Sequence, residues 1–168
     1  MTDRALEWRV ATRADLPHVV EIYNRTIPSR VVTADLEPVT VESREAWFAL
    51  HVPGYRPLWV VERAGRIAGW LSFSSFYGRP AYEGTAELSI YVDYPFQRQG
   101  IGRFLLTEAL RECAILKLHT VLGFVFGHNQ PSLELFEGQG FDRWGHLPRV
   151  AVLDGVERDL VILGKRVA

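Results

Sequence analysis

The sequence lacks several features that would place it in particular classes of protein. Its 168 residues include one cysteine, Cys113, which excludes a disulfide within the chain, and no cysteine or histidine cluster has the spacing of a structural zinc site. We therefore expect no metal. With 19 basic and 20 acidic residues the net charge is −1, so the overall field gives no reason to expect a nucleic acid or an anionic membrane as a partner.

Long hydrophobic runs are also missing. No segment reaches the ~18 consecutive apolar residues that a membrane span needs, and residues 1–7 include two acids and no apolar run, unlike a signal peptide. These absences favour a cytoplasmic protein. A length of 168 residues and a hydrophobic fraction of 48% are typical of one domain, here 1–168, with its own core.

The spacing of apolar and turn-forming residues predicts the order of helices and strands. Helices are predicted at residues 16–27, 41–51, 102–117 and 131–138, and strands at residues 8–10, 58–63, 67–75, 85–92, 121–126, 141–144 and 151–163, the last one with a turn at Asp154-Gly155. In the second helix we expect Trp47 and Leu50 to face inward. Residues 28–39 read as a long irregular connection. The order predicts an α+β fold in which an antiparallel run is followed by one β–α–β crossover.

The segment Gln97-Arg98-Gln99-Gly100-Ile101-Gly102 joins a predicted strand to a predicted helix. Amide groups at a helix start and the positive end of the helix dipole favour a diphosphate there. Glycines at 100 and 102 remove Cβ atoms that would block close backbone approach, and Arg98 and Arg103 can add charged hydrogen bonds. A Gly-x-Gly alone is also compatible with a simple tight turn, and the spacing fits neither the P-loop nor the dinucleotide-binding fingerprint.

Gln97-x-x-Gly100-x-Gly102 resembles the acetyl-CoA signature of the GNAT superfamily of N-acetyltransferases, and the chain resembles the phosphinothricin acetyltransferase-like group over nearly its whole length. The resemblance implies the GNAT fold, in which a mixed central sheet, antiparallel then parallel, splays open and is flanked by helices. The matching blocks are Tyr23-Asn24, Arg44-x-x-Trp47-Phe48, Arg79-Pro80, Tyr82-x-x-Thr85-x-Glu87-x-Ser89-x-Tyr91-Val92 and Asn129-x-x-Ser132-Leu133-x-Leu135-Phe136-x-x-x-Gly140-Phe141.

The same resemblance implies acetyl-CoA as cosubstrate. Its pantetheine arm would lie between the strand that ends at Val92 and the strand 121–126, and would pair with backbone groups of the first strand as an added strand does. The residues implied in cofactor binding are Ile90, Tyr91, Val92, Gln97, Arg98, Gln99, Gly100, Ile101, Gly102, Arg103, Asn129 and Ser132.

Direct transfer to an amine in a ternary complex requires a general base, because an aliphatic amine with a pKa near ~10 arrives protonated. Glu87 on the polar face of the predicted strand is the candidate, although a solvent-facing or ion-paired role also fits. It lies about 16 Å from Val92 at ~3.3 Å per residue, so the cofactor must reach down the strand. The N–H of Tyr91 or of Val92 would stabilise the oxyanion. Cys113 falls on an apolar helical stripe and reads as a core residue rather than an acyl carrier.

One residue, Phe136, departs from the pattern of the family. Related enzymes often carry Tyr or His where Phe136 stands, and Phe cannot donate a proton to the leaving thiolate. His128 could substitute, or could cap a strand end.

The resemblance suggests an amino-acid-like acceptor such as phosphinothricin, methionine sulfoximine or methionine sulfone. Arg79 would then hold its carboxylate, unless it is a surface arginine in a turn. Tyr82, Val32 and Thr33 are candidates for the acceptor side-chain pocket.

Two other functions remain open at this point: acetylation of a protein or peptide, and acyl-CoA binding without catalysis. The strand residues 151–161 are apolar enough to form the edge of a homodimer.

Overall fold

The computed structural model describes residues 5–168, in which one seven-stranded sheet is flanked by four α-helices. The α+β order predicted from the sequence is confirmed. The strands are β1 Glu7–Val10, β2 Leu58–Arg63, β3 Arg66–Ser75, β4 Thr85–Val92, β5 Thr120–Phe126, β6 Asp142–Leu153 and β7 Val156–Arg166, and the helices are α1 Leu16–Thr26, α2 Glu45–Ala49, α3 Ile101–Glu112 and α4 Gln130–Gly138.

The strand order in the sheet is β1-β2-β3-β4-β5-β7-β6, and every neighbouring pair is antiparallel except β4 and β5. These two strands are parallel because α3 carries the chain back to the same end of the sheet, so the predicted β–α–β crossover is confirmed. Their pairing covers only Thr85 with Thr120, Ala86 with Val121 and Glu87 with Leu122. Beyond Glu87 the strands diverge, β4 to Val92 and β5 to Phe126, and the sheet opens into the predicted gap.

Two hydrophobic clusters hold helices on opposite faces of the sheet. Under α3 and α4 the cluster includes Phe73, Leu88, Leu105 and Leu133, each at most 2% exposed. Burying side chains of this size contributes about 1.5–3 kcal/mol each. The second cluster, under α1, is smaller and consists of Ala11, Val19, Ile22, Leu58, Val60 and Trp70.

The second predicted helix, 41–51, is confirmed over residues 42–49, but it begins as a 3₁₀ turn and ends earlier than predicted. A single turn at Glu42–Arg44 precedes α2, which ends at Ala49. Leu50 lies beyond the last helical turn and its side chain is 72% exposed, so its predicted inward position is wrong as well. Trp47 does pack against the α1-side cluster.

The third predicted helix is too long, because α3 ends at Glu112 rather than Lys117. Residues 113–117 turn the chain toward β5, and Lys117 adopts the left-handed backbone (φ 57°) that such a reversal needs. Cys113 and Leu116 remain buried in the turn, which explains why the apolar pattern continues past the helix end.

The C-terminal strands are longer than predicted. β6 runs from Asp142 to Leu153 through two register shifts, although 145–150 carried no strand pattern. The second shift contains Arg149 in the left-handed region (φ 53°), and an edge strand tolerates a proline such as Pro148 because its outer side needs no N–H. The predicted turn at Asp154-Gly155 is confirmed, with φ values of 50° and 79° that match a two-residue hairpin loop.

Candidate active site

A cavity of about 220 Å³ lies on the α1 side of β3 and β4. Alternate residues of β4 point to opposite faces, so Ala86 and Leu88 are buried under α3 while the residues between them face the cavity. Four aromatic rings, three serines, one carboxyl group and one guanidinium are among the groups that line it: Val19, Val20, Tyr23, Val39, Arg44, Trp47, Trp70, Ser72, Ser74, Glu87, Ser89 and Tyr91.

The aromatic wall of the cavity is held by ring contacts. Trp70 stacks on Tyr91 with ring centroids 4.5 Å apart, and Tyr23 meets Tyr91 edge-on at 5.2 Å. Trp47 meets Trp70 edge-on at 5.6 Å, and the indole N–H of Trp70 donates to the carbonyl of Val19 at 3.1 Å. Ring contacts of this kind are stabilising, so they support the wall of the cavity.

Glu87 is half-buried among polar neighbours on the floor of the cavity. Ser74 lies directly across on β3, and Ser72 lies across from Ser89. Burial, rather than a charged neighbour, raises the pKa of the Glu87 carboxyl above its ordinary value. A carboxylate with a raised pKa is a stronger base, which suits proton transfer.

Glu87 also marks the point where the sheet opens. It is the last β4 residue paired with β5, so the gap begins beside it and extends along the strand to Val92. The distance of about 16 Å between these two residues, at ~3.3 Å per residue, is therefore the length of one continuous opening. A chain-like ligand in the gap could reach from the loop after β4 to Glu87.

The backbone N–H and C=O groups of alternate β4 residues point toward the gap. Those of Tyr91 and Asp93 point toward β3 instead. The Asp93 N–H donates to the Ala68 carbonyl at 2.9 Å, and a Cβ on Gly69 would lie 2.8 Å from the carbonyl oxygen of Tyr91. Because directions alternate along an antiparallel strand, Ile90 and Val92 face the gap. Of the two amides considered for the oxyanion, only that of Val92 points into the opening.

The loop after β4 has the backbone of an anion site. Gly100, the residue before α3, and Arg98 both adopt the left-handed backbone conformation, with φ values of 79° and 59°. The first amides of an α-helix, here Ile101, Gly102 and Arg103, have no acceptor within the helix. A Cβ on Gly102 would lie 3.3 Å from Leu135, which shows how closely α3 approaches α4. This backbone fits a diphosphate.

The side chains of Gln97 and Gln99 turn back onto the loop. The Gln97 amide nitrogen lies 3.4 Å from the Val92 carbonyl, and that of Gln99 lies 3.1 Å from the Pro95 carbonyl. These contacts shape the loop. The backbone N–H of Gln97 also donates within the loop, to the Tyr94 carbonyl at 3.3 Å.

Asp93 supports this loop, and the sequence analysis missed it. Its carboxylate is 4% exposed and accepts two hydrogen bonds from Arg25 of α1, at 2.9 and 2.8 Å, and one from the Tyr94 amide at 3.0 Å. An aspartate directly before a Tyr-Pro turn is a cap-type signal that could have indicated this role. The contact fixes the corner between β4 and the loop.

Asn129 and Ser132 lie beyond the end of β5, on the far side of the gap. The Asn129 side chain is buried and accepts a hydrogen bond from the Ser132 amide at 3.3 Å, so it caps α4. Their predicted contact with pantetheine remains a prediction.

Phe136 offers no proton donor to a thiolate, as expected, and the ring of His128, the candidate substitute, is held by a backbone carbonyl. Phe136 is 4% exposed, and a Cβ on Gly123 would lie 2.7 Å from its ring, so it supports β5 from below. His128 Nε2 donates to the Arg30 carbonyl at 2.8 Å, which leaves Nδ1 of a neutral ring without a proton. Cys113 is buried, and burial raises the pKa of its thiol to about 11, which confirms the interpretation as a core residue.

The four predicted acceptor residues do not line the cavity. Arg79 is exposed at the start of the Pro80–Tyr82 turn, Tyr82 is 42% exposed, and Val32 is half-buried. Thr33 is buried behind the wall, with its hydroxyl 2.5 Å from that of Tyr23.

The cation that lines the cavity is instead Arg44. Its Nη2 donates to Asp35 at 3.0 Å, and its guanidinium lies 5.0 Å from the centre of the Tyr23 ring. Arg44 stands in the Arg44-x-x-Trp47-Phe48 block, but only the packing of α2 on the sheet reveals its position.

This geometry agrees with the comparisons to known proteins. The model of the acetyltransferase (GNAT) family matches residues 16–141, and the chain belongs to that family. The match confirms three predictions made from the sequence: the family, the splayed sheet and the enzyme class, an acetyltransferase.

Three similar proteins narrow the position within the family. A Bacillus subtilis (strain 168) protein named "Putative phosphinothricin acetyltransferase YwnH" is 52% identical over 95% of this chain and 98% of that protein. An L-methionine sulfoximine/L-methionine sulfone acetyltransferase of Salmonella typhimurium is 30% identical over 92% of this chain and 91% of that protein. A crystal structure of a phosphinothricin acetyltransferase from Sinorhizobium meliloti in complex with acetyl-CoA superposes with a TM-score of 0.90 at 25% identity, covering 96% and 88% of the two chains.

None of the helices within residues 5–168 is long and apolar enough to cross a membrane. The same residues contain no group of three metal-ligating side chains.

Proposed function

We propose that the protein transfers the acetyl group of acetyl-CoA to the α-amine of a small amino-acid-like acceptor of the phosphinothricin, methionine sulfoximine or methionine sulfone type. One observation carries the proposal. The half-buried carboxyl of Glu87 faces the cavity at the point where β4 and β5 separate, so one group can serve both a small acceptor and a ligand in the gap. The names of the relatives at 52% and 30% identity support this acceptor class.

The chain offers backbone groups to hold acetyl-CoA, which supplies an acetyl thioester when bound. Amides of Ile101, Gly102 and Arg103 would take the diphosphate, with charge added by Arg98 and Arg103. Ile90 and Val92 would pair with the amide-bearing arm across the gap. Asn129 and Ser132 would form the opposite side.

Glu87 would accept the proton of the acceptor amine, directly or through one water, as the amine attacks in a ternary complex. Burial raises the pKa of Glu87 toward that of the amine, which makes the proton transfer easier. The Val92 amide faces the gap but lies about 16 Å along β4 from Glu87, at ~3.3 Å per residue, so it would pair with the cofactor arm rather than donate to the oxyanion formed beside Glu87. Tyr91 contributes its ring to the cavity wall rather than its amide to this step.

The acceptor carboxylate requires a cation, and two arginines are available for the role. Arg79 is the residue implied by the family resemblance, and Arg44 is the one that lines the cavity. The variants Arg79→Gln and Arg44→Gln should be compared on methionine sulfone and on the same molecule without its carboxylate. The arginine that binds the carboxylate is the one whose loss raises KM for methionine sulfone about tenfold or more and leaves the decarboxylated amine unaffected.

The main experiment follows thiol release from acetyl-CoA with methionine sulfoximine, phosphinothricin, methionine sulfone and a set of simple amines. We expect turnover with the amino-acid analogues and little with the amines. Calorimetry with coenzyme A serves as the control for the cofactor site. Binding of coenzyme A without turnover on any acceptor would favour a non-catalytic acyl-CoA-binding protein, an alternative consistent with Phe136 lacking a hydroxyl.

Acetylation of a protein or peptide is less well supported, because a cavity of about 220 Å³ lined by four aromatic rings suits a small acceptor. Mass spectrometry of cellular proteins from a deletion strain tests it. Loss of specific N-terminal or lysine acetylation would favour this alternative.

We also propose a cytoplasmic homodimer that needs no metal. β6 forms an edge of the sheet, and apolar side chains are exposed on it and on the start of β7: Trp144, Leu147, Val150, Val152 and Val156. An exposed apolar edge of this kind favours pairing with a second copy. Sedimentation of the wild type and of Val152→Glu tests the dimer, and a monomeric wild type at micromolar concentration would contradict it.

A further inference from the structure

The segment 31–39 between α1 and α2 contains no helix or strand, yet it has a defined place beside the cavity. Thr33 is buried, but Leu36 is 42% exposed, so apolar burial contributes little to holding the segment. Val39 at its end lines the cavity. Its position therefore depends on hydrogen bonds to the helices on either side.

Tyr23 of α1 supplies the first anchor. Its hydroxyl lies 2.5 Å from Thr33 Oγ1 and donates to the carboxylate of Asp35. Arg44, in the turn before α2, donates to the same carboxylate at 3.0 Å, with its guanidinium over the Tyr23 ring. The Asp35 carboxylate thus joins the middle of the segment to α1 and to the turn before α2.

Asn24, the next residue of α1, supplies the second anchor. Its side-chain amide donates to the Val39 carbonyl at 2.9 Å, and its side-chain oxygen accepts from the Val39 amide at 2.9 Å. These two bonds hold the backbone of Val39 as a neighbouring strand would. Asn24 does not line the cavity and acts on it only through Val39.

We infer that Tyr23 and Asn24 are positioning residues that fix segment 31–39 as a wall of the acceptor cavity, so that this clamp sets the size of acceptor the enzyme accepts. The inference rests on the proposed function, since it assigns the cavity to the acceptor. The loop after β4 has a separate anchor in Asp93 and Arg25. Loosening the clamp should therefore leave acetyl-CoA binding intact.

The variant Tyr23→Phe keeps the ring against Tyr91 and removes only the hydroxyl. We expect KM for methionine sulfone to rise about tenfold, as for a lost hydrogen bond to a charged group, with KM for acetyl-CoA changed less than twofold. The ratio of kcat/KM for phenylalanine to that for methionine sulfone should rise as the wall yields. Tyr55→Phe is the matched control, because the Tyr55 hydroxyl donates to Glu83 outside the cavity.

Asn24→Ala should give the same pattern through Val39. Equal changes in both KM values, or an effect of Tyr23→Phe no larger than that of Tyr55→Phe, would overturn the inference. Hydrogen exchange of residues 31–39 tests the clamp without any acceptor, and unchanged exchange in Tyr23→Phe would also overturn it. A wild-type enzyme that transfers no acetyl group would instead overturn the proposed function, while the exchange result still decides on the clamp.

Discussion

The loop after β4 and the cavity beside β4 offer ligands two different kinds of surface. In the loop, the groups available are amides of Ile101, Gly102 and Arg103, and the glutamine side chains bond to the loop itself. In the cavity, the groups available are side chains carried by α1, α2, β3 and β4. A backbone site tolerates changes of most side chains but depends on glycine, whereas a side-chain site can change its ligand by substitution. Within this family the acceptor side is therefore the one expected to vary.

The largest effect expected on the cavity side is that of Glu87→Gln. Removal of a general base should lower kcat about 10²- to 10⁴-fold, while calorimetry should show acetyl-CoA affinity changed less than twofold. In the wild type, kcat/KM should rise with pH through the raised pKa of Glu87, because only the ionised carboxylate accepts a proton. Glu83→Gln, at an exposed glutamate, is the control, and equal activity of the two variants would remove Glu87 from the mechanism.

On the loop side, Gly100→Val should separate backbone strain from ligand binding. Gly100 and Gly54 share a φ of 79°, and an added Cβ at either would meet nothing within 4 Å. Both valine variants should therefore lose a similar amount of stability, about 1–3 kcal/mol, through strain alone.

Only Gly100→Val should weaken acetyl-CoA binding, by about tenfold or more, because only that loop presents its amides to the diphosphate. Calorimetry and chemical denaturation measure the two effects. Comparable loss of affinity in Gly54→Val would contradict the assignment of the loop.

Asp93→Asn tests a place where the loop depends on a buried charged side chain. Its carboxylate is 4% exposed while Arg25 is 41% exposed, so loss of the charge should cost about 1–3 kcal/mol in denaturation, less than for a fully buried pair. Glu45→Gln breaks the exposed pair with Arg13 and should cost less than about 1 kcal/mol. If the two variants lose equal stability, the Asp93 contact is no stronger than a surface pair.

The smallest effect concerns stability and pH at Glu87. Burial raises its pKa in the folded state above the ordinary 4.5, so the folded protein holds this proton more tightly than the unfolded chain. Stability is therefore lost as pH rises from about 4.5 through the raised pKa. The melting temperature of Glu87→Gln should equal that of the wild type at pH 4 and exceed it at pH 8. The variant Glu37→Gln, at an exposed residue, should show no such pH-dependent difference.

The sequence indicated the conformation of the loop after β4 better than it indicated the lining of the cavity, and the reason is physical. Gly100 and Gly102 act through local conformation, so their role can be recognised within one short stretch. Glu87 was recognisable because it alternates with apolar residues on one strand. Arg44 and Trp70 are brought to the cavity by packing between elements distant in the chain, which no local pattern records.

The errors in the fold have the same origin. The apolar run after Glu112 continues because the turn is buried, and the period of the side chains does not distinguish a buried turn from a helix. The strand through 145–150 was missed because Pro148 is a strand breaker in the interior of a sheet but is tolerated at its edge. In both cases the tertiary position decided the conformation.

The divergence of β4 from β5 places two edge strands inside the sheet, each with unpaired peptide groups along its inner side. Such edges normally invite pairing with foreign chains, and proteins cover or charge them. Here the two edges face one another across the gap, where an extended, amide-bearing molecule could pair with the peptide groups of β4. The interruption of the sheet thus lies where the proposed cofactor arm would bind.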